Sequence, residues 1–312
     1  MLTENVNTGS KIDRYIIEKT ISNKGGTASV HLGHVEDDAK FKVAIKIAKT
    51  DQNGNTHEDT LLQHEAELLK KWDWRHPAIV RLLPIELAGR KPEYAVRAIN
   101  YRHNPWFMVM EYLRGESLSD KLSVVQKYPL EWKLELFYQI LMPIAFLHQK
   151  GYAHRDLKPE NIVFRFPISA QREPEPVLID FALASNGTEG RAIISSALTL
   201  GYASPERVVN SMPGGGGAVI EDVLASDVWS LGVILYEIIT GKLLLKGNPD
   251  KIKTTLIREK IEPDIPINDH RDRILAGFIR AMLSKRQEER PSVKQILYAL
   301  EEKFPPPRIE IL

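Results

Sequence analysis

The sequence contains no cysteine and has almost no net charge. Without thiols the chain cannot form a disulfide or a thiolate zinc site, which suits a reducing compartment. Lysine and arginine number 42 against 41 for aspartate and glutamate, giving a net charge of +1. This balance gives no reason to expect nucleic acid or an acidic membrane surface as a partner.

Long hydrophobic runs are also absent. The longest apolar stretch, at about 231–239, is too short to span a bilayer and predicts a buried helix. The N-terminus shows no charged-then-apolar signal pattern. We therefore expect no membrane segment in this chain and a cytoplasmic location. At 312 residues and 43% apolar, the chain can bury a substantial core and suits two lobes.

The sequence does contain a dense group of polar residues at 154–161, His-Arg-Asp-Leu-Lys-Pro-Glu-Asn, followed by Asp180. A hydroxyl that attacks the last phosphate of ATP needs a carboxylate to orient it and accept its proton. Asp156 is the candidate, and Lys158 would direct its ammonium at the transferring phosphate. Mg²⁺ prefers hard oxygen ligands, so Asn161 and Asp180 are the candidate metal ligands. The segment predicts a phosphoryl-transfer centre that uses ATP and Mg²⁺.

This segment resembles the catalytic loop, H-R-D-L-x-x-x-N, and the magnesium loop, D-F-G, of the eukaryotic-type protein kinases. Ala182 stands in place of the glycine of D-F-G, which is a departure from the family pattern. Lys158 favours a serine/threonine kinase over a tyrosine kinase, whose catalytic loop differs. The lack of obvious regulatory flanks is compatible with a bacterial member.

The resemblance implies an α+β, bilobal protein-kinase-like fold with a β-rich N-lobe and a mainly α-helical C-lobe, with ATP bound between them. The expected boundaries are an N-terminal extension at 1–14, a catalytic domain at 15–303 with its N-lobe at about 15–110 and C-lobe at about 114–303, and a proline-rich tail at 304–312.

The residues Val-Ala-Ile-Lys at 43–46 predict a buried strand that ends in Lys46. In the family this lysine holds the α and β phosphates, although an ordinary lysine on an edge strand is the alternative. The segment 58–71 has apolar residues at helical spacing and predicts a helix. Glu65 lies on its polar side and is the expected partner of Lys46, with Glu67 as a rival that the register disfavours.

The resemblance places a glycine-rich loop over the phosphates, but the match is partial. Asn23 and Ala28 stand at two of the three glycine positions, and only Gly25 is kept. A plain β-hairpin is the alternative. Met110 would be the gatekeeper, and the backbones of Glu111 and Leu113 would bond the adenine edge. The expected nucleotide-binding positions are Asn23, Gly25, Gly26, Val30, Ala44, Lys46, Met110, Glu111, Leu113 and Val163.

The C-terminal half is similar to the parts of a kinase that bind a peptide. Thr199 would bond the catalytic aspartate and lysine and form part of the substrate platform. The resemblance gives Glu206, Asp227 and Arg290 structural roles, with Glu206 paired to Arg290 and Asp227 bonded to the catalytic-loop backbone.

A switch is also expected at Arg155, which in the family receives a phosphate from the activation loop. Ser195 and Ser196 are the candidate phosphosites, with unmodified loop serines as the alternative. Three inserts, at 88–104, 165–176 and 213–217, are expected to be surface loops, with a docking surface as the sharper interpretation. Pro143 lies inside a helical pattern and predicts a kinked helix.

The leading hypothesis is a serine/threonine protein kinase that transfers the γ-phosphate of ATP to protein hydroxyls, depends on Mg²⁺ and autophosphorylates. Asn23, Ala28 and Ala182 leave room for an ATP-binding pseudokinase scaffold. A small-molecule phosphotransferase is the third hypothesis, and Thr199 and Arg290 argue against it. The expected partners are ATP and proteins that present serine or threonine.

Overall fold

The computed structural model describes residues 7–23, 27–49, 57–72, 75–86, 91–101, 103–169, 171–186, 199–212 and 219–304. The chain divides into two compact units, Met1–Arg114 with Asp180–Ala182, and Gly115–Ile179 with Leu183–Leu312. The N-terminal unit is built on a β-sheet and the C-terminal unit mainly on helices, which confirms the predicted α+β class.

The described part of the N-terminal unit contains a seven-stranded antiparallel sheet. Its strands are β1 (Lys11–Ile12), β2 (Tyr15–Ser22), β3 (Ala28–Val35), β4 (Asp38–Ala48), β5 (Leu82–Leu83), β6 (Val96–Arg97) and β7 (Trp106–Glu111). They lie in the order β1-β2-β3-β4-β7-β5, and β6 also pairs with β7. The predicted strand at 43–46 is the buried half of β4, which continues two residues past Lys46 to Ala48. Alternate residues such as Val43, Ile45 and Ile47 enter the apolar core.

Helix α1 (His57–Lys71) is the helix predicted at 58–71. Acidic residues occupy its first turn and lysines its last, which complements the helix dipole. Its apolar stripe is buried, including Leu61 and Leu69. Glu65 differs from the expectation because it is fully buried rather than on the polar side.

The C-terminal unit is mainly helical. Its elements are α2 (Leu118–Val125), α3 (Leu130–Gln149), β8 (Ile162–Phe164), β9 (Pro176–Leu178), α4 (Pro205–Ser211), α5 (Val223–Thr240), α6 (Pro249–Arg258), α7 (His270–Met282) and α8 (Val293–Lys303). Helix α3 continues through Pro143, which is buried, and α3 packs against both α5 and α8. This tertiary packing offsets the loss of the backbone hydrogen bond that the proline cannot donate.

Helix α5 is the core of this unit, and it contains the predicted apolar run. Its N-cap is Asp222, whose side chain accepts hydrogen bonds from the N–H groups of Leu224 and Ala225, and its C-cap is Gly241 in the left-handed conformation, φ 68°. Within the described residues it is the one helix long and apolar enough to cross a membrane, but 78% of it is buried inside the protein. Such burial is typical of a core helix.

The inserts differ in how much of them the structure describes. The first supplies β6 and an isolated bridge between Ile85 and Glu93, so it is partly sheet. The second is the loop of the antiparallel β8–β9 hairpin. The third, at 213–217, lies outside the described residues, as do residues 305–312 of the predicted tail.

Candidate active site

Lys46 lies at the centre of an ion-pair network in the N-terminal unit. Its Nζ donates to Glu65 Oε2 at 2.5 Å and to Asp180 Oδ1 at 2.8 Å. Helix α1 supplies Glu65, and β4 supplies Lys46 opposite Val30 and Met108. The structure therefore brings together three predicted site residues that are far apart in the sequence. Glu67, the rival partner, is exposed on the same helix.

Burial and charge act in opposite directions on these groups. Burial alone would lower the pKa of Lys46, but the carboxylates of Asp180 and Glu65 more than offset it and hold the pKa above its ordinary value. Burial raises the pKa of Glu65, and the ammonium of Lys46 opposes that shift. We infer an ion pair, because a 2.5 Å contact to a lysine that retains its proton stabilises the carboxylate.

Phe181 is enclosed in the same unit. Its side chain is fully buried, and its ring meets the ring of Trp72 edge-on at a centroid distance of 5.6 Å. Its backbone N–H donates to Glu65 Oε1 at 3.1 Å, so Glu65 holds both Lys46 and the backbone of the predicted magnesium loop. Asp180 adopts φ 64°, an uncommon angle for a residue with a side chain.

A second cluster lies around Asp156 in the C-terminal unit. Lys158 Nζ donates to Asp156 Oδ2 at 2.6 Å and to Thr199 Oγ1 at 3.3 Å, and Thr199 Oγ1 donates to Asp156 Oδ1 at 3.2 Å. Asn161 Nδ2 donates to the carbonyl and to Oδ2 of Asp156 at 2.8 and 3.0 Å. The Asp156 side chain is 15% exposed, so it is oriented by its neighbours yet reachable.

Asp227 holds the catalytic-loop backbone from the start of α5. It accepts from the N–H of His154 at 2.8 Å and of Arg155 at 2.9 Å, and His148 Nε2 lies 3.0 Å from its Oδ2. Burial alone would raise the pKa of Asp227, but the hydrogen bond from His148 and the other donors lower it. Arg155 itself adopts φ 67°, a strained angle that these bonds stabilise.

Glu206 and Arg290 form a buried bidentate pair. Arg290 Nη1 and Nη2 donate to the two Glu206 oxygens at 2.7 and 2.8 Å, and Ser226 Oγ donates to Glu206 Oε1 at 2.9 Å. Although burial opposes ionisation, the hydrogen bonds from Arg290 lower the pKa of Glu206. The pair ties the start of α4 to the loop before α8.

Several predicted nucleotide-binding residues lie along neighbouring strands. Ala44 is cross-strand to Met110, and both are buried, whereas Val30 is half-buried. The Glu111 N–H donates to the carbonyl of Arg81 at 2.9 Å. The backbone N–H of Glu111 is thus engaged within the protein.

The remaining predicted nucleotide-binding residues are spread over both units. Leu113 is buried, and Asn23 accepts from Lys49 Nζ at 2.7 Å through its carbonyl. Val163 lies in β8 opposite Val177. The structure does not describe two further predicted nucleotide-binding residues, Gly25 and Gly26. It also does not describe the candidate phosphosites, Ser195 and Ser196.

Sequence reasoning assigned no role to several residues that support this site. His148 and Ser226 each bond a predicted structural carboxylate, and Arg207 Nη1 donates to the carbonyl of Arg155. Ser226 and Arg207 adjoin Asp227 and Glu206 in the sequence, which is a signal that could have found them. His148 had no such signal, because its partner is 79 residues away.

Comparison with known proteins agrees with this geometry. The family model "Protein kinase domain" matches residues 17–300. Serine/threonine-protein kinase GIN4 of Saccharomyces cerevisiae is 29% identical over 90% of this chain and 23% of the relative. Calcium/calmodulin-dependent protein kinase type 1 of Macrobrachium nipponense is 29% identical over 91% and 74%.

A bacterial protein is also among the similar relatives. Serine/threonine-protein kinase pkn2 of Myxococcus xanthus is 31% identical over 72% of this chain and 24% of the relative. The chain thus spans about a quarter of the length of GIN4 and of pkn2, and about three quarters of the length of the Macrobrachium nipponense kinase. The chain belongs to the protein kinase family, and serine/threonine-protein kinases are among the relatives that it resembles.

Proposed function

We propose that this chain is an active serine/threonine protein kinase that transfers the γ-phosphate of ATP to serine and threonine hydroxyls of proteins, including its own. The observation that carries the proposal is the Asp156 carboxylate, held by Lys158, Asn161 and Thr199 while its side chain stays partly exposed. A carboxylate held in this way has a fixed orientation, and its exposed part can still bind the hydroxyl of a substrate.

The residues present fit magnesium. Asn161 uses its amide nitrogen on Asp156, so its carbonyl oxygen is the atom available to a cation. Asp180 contributes a carboxylate that is 34% exposed. Both groups offer the hard oxygen atoms that Mg²⁺ requires. When bound, the metal neutralises charge on the phosphate oxygens.

In the proposed reaction Asp156 orients the attacking hydroxyl and accepts its proton. The new bond joins the hydroxyl oxygen to the γ-phosphorus, and the bond from that phosphorus to the oxygen of the departing ADP breaks. Lys46, kept charged by Glu65, holds the nucleotide phosphates, and Lys158 stabilises the charge on the transferring group. In this proposal Thr199, which bonds both Lys158 and Asp156, forms part of the platform for the protein substrate.

The test is incubation of the purified chain with radiolabelled ATP and Mg²⁺, with and without a generic basic protein. We expect label on the basic protein and on the chain itself, and none with Asp156→Ala. ATP binding without any transfer by the wild type would instead support the pseudokinase scaffold. Normal turnover by Asp156→Ala would contradict the kinase assignment of this residue.

A further inference from the structure

Arg155 is paired with a carboxylate of its own chain. Its Nη2 donates to Glu221 Oε2 at 3.1 Å and to Oε1 at 3.3 Å, and its Nη1 donates to Ser185 Oγ at 3.1 Å. Arg155 is 3% exposed and the Glu221 side chain 13%. The guanidinium predicted to receive an activation-loop phosphate is therefore already neutralised inside the C-terminal unit.

Glu221 is held in position by two side-chain amides. Asn210 donates to the carbonyl of Val219 at 2.9 Å and accepts from its N–H at 3.2 Å. Gln287 donates to the carbonyl of the residue before Glu221 at 2.7 Å and accepts from the N–H of the residue after it at 2.9 Å. The backbone on both sides of the carboxylate is thus fixed before any ligand binds.

A second buried guanidinium group lies beside the Arg155–Glu221 pair. Arg207 is also buried, its Nε lies 3.7 Å from Glu221 Oε1, and its Nη1 donates to the carbonyl of Arg155. Burial lowers the pKa of Arg155 and Glu221 opposes that shift, whereas Arg207 adds to it. Two buried guanidinium groups without a counter-charge are costly, so an anion between them stabilises this arrangement.

The same arginine connects to the catalytic aspartate. Arg155 precedes Asp156, its N–H donates to Asp227, and its partner Ser185 exchanges two backbone hydrogen bonds with Ala153 at 2.9 and 3.0 Å. While Glu221 is bonded to Arg155, Asp156 keeps its hydrogen bonds from Lys158 and Thr199. We propose that Glu221 is a positioning residue that takes the place of an activation-loop phosphate at Arg155 and aligns the catalytic loop without phosphorylation.

This inference rests on the proposed kinase function, and steady-state kinetics test it. Wild type treated with phosphatase, with phosphate removal verified by mass spectrometry, should keep its kcat, and so should Ser195→Ala/Ser196→Ala. Glu221→Gln should lower kcat at least about tenfold while changing the KM for ATP by less than about twofold. Glu221→Asp should recover part of the loss, and Asp264→Asn, at an exposed ion pair, should match wild type.

The outcomes separate this inference from the proposed function. Loss of activity in phosphatase-treated wild type, or full activity in Glu221→Gln, would overturn the role of Glu221 and leave the kinase assignment intact. If Glu221→Gln does not fold, the Glu221→Asp variant provides the test. Its side chain is one methylene shorter and holds Arg155 less well, so kcat should fall by about threefold or more. An unchanged kcat in this variant would overturn the proposal.

Hydrogen exchange provides a readout that needs no turnover. Amides at 153–158 should exchange faster in Glu221→Gln than in wild type and in Asp264→Asn. If the wild type shows no transfer at all, the proposed function fails, but this comparison still decides the positioning role. Unchanged protection at 153–158 would overturn it.

Discussion

At the scale of single residues, Lys46 shows how this chain keeps a charge in its interior. Lys46 is 6% exposed, and two carboxylates within 2.8 Å of its ammonium compensate the charge. An uncompensated buried charge would lose its proton or destabilise the fold. The two partners have different surroundings, because Glu65 is fully buried and the Asp180 side chain is one-third exposed. Glu65 is therefore suited to holding the lysine, and Asp180 to meeting a ligand.

We expect Glu65→Gln to weaken ATP use. The substitution keeps the shape but removes one of the two charges that orient Lys46, so kcat/KM for ATP should fall at least about tenfold. Glu67→Gln is the matched control, because Glu67 is exposed two residues away on the same helix. Equal kcat/KM in the two variants would exclude a role for Glu65 in orienting the lysine.

Alanine variants of Asp156 and Asp180 should distinguish the loss of phosphate transfer from the loss of metal binding. Asp156→Ala removes the group that orients the hydroxyl, so ATP binding should stay nearly intact. Asp180→Ala removes a metal ligand, so Mg²⁺-dependent ATP binding should weaken as well. Titration calorimetry with and without Mg²⁺ checks this, and a similar loss of affinity in both variants would contradict it.

Ala182 should restrict the magnesium loop. Glycine reaches backbone angles that cost alanine about 1 kcal/mol, so alanine favours the observed state in which Phe181 is buried against Trp72. Inhibitors that need Phe181 to swing out should bind more tightly to Ala182→Gly than to wild type. Equal affinities would show that Ala182 does not control this movement.

At the scale of elements, α5 organises the C-terminal unit. Its N-terminal half supplies Asp227 to the backbone of the predicted catalytic loop and Ser226 to Glu206, and its buried length packs against α3 and α7. Arg290 also donates to the carbonyl of Ala225 at 3.0 Å and lies over the Trp229 ring at 5.2 Å. One helix thus positions both the catalytic loop and the Glu206–Arg290 pair.

We expect the Glu206–Arg290 pair to matter for stability. Glu206→Gln leaves a buried arginine without its counter-charge, which should lower the free energy of unfolding by about 3 kcal/mol. Glu131→Gln breaks an exposed pair with Arg271 and should cost less than about 1 kcal/mol. Urea unfolding of both variants measures this difference, and equal costs would mean that the pair is not structural.

At the scale of the whole molecule, Glu237 should make stability depend on pH. Burial raises the pKa of Glu237 to about 7, although Tyr202 donates a hydrogen bond to it at 2.9 Å. The folded chain therefore binds this proton more tightly than the unfolded chain does. The resulting stabilisation is complete below the ordinary carboxyl pKa and is lost as the pH rises through about 7.

Glu237→Gln should remove this dependence. Between pH 4.5 and 8 the wild type should lose about 2 kcal/mol of unfolding free energy relative to the variant, after allowance for solvent screening. Urea unfolding across this range isolates Glu237, because the other titrating groups are common to both proteins. A constant difference between the two would contradict the raised pKa.

Much of this protein was determined by its sequence alone. The run at 154–161 predicts a phosphoryl-transfer centre, because few residue types can orient a hydroxyl or hold magnesium and these residues lie close together in the sequence. Helix α1 also follows from local periodicity, and the strand that carries Lys46 follows from its apolar run. The family match over 17–300 and the α+β fold agree with those predictions.

Tertiary structure decided which charges are buried together. Glu65 was expected on the polar side of its helix, yet it is fully buried because Lys46 and the Phe181 backbone compensate its charge. Glu221 reaches Arg155 across 66 residues, a pairing that no local pattern encodes. Periodicity reports which face of an element is apolar, whereas the partner of a buried charge depends on contacts that only the folded chain brings together.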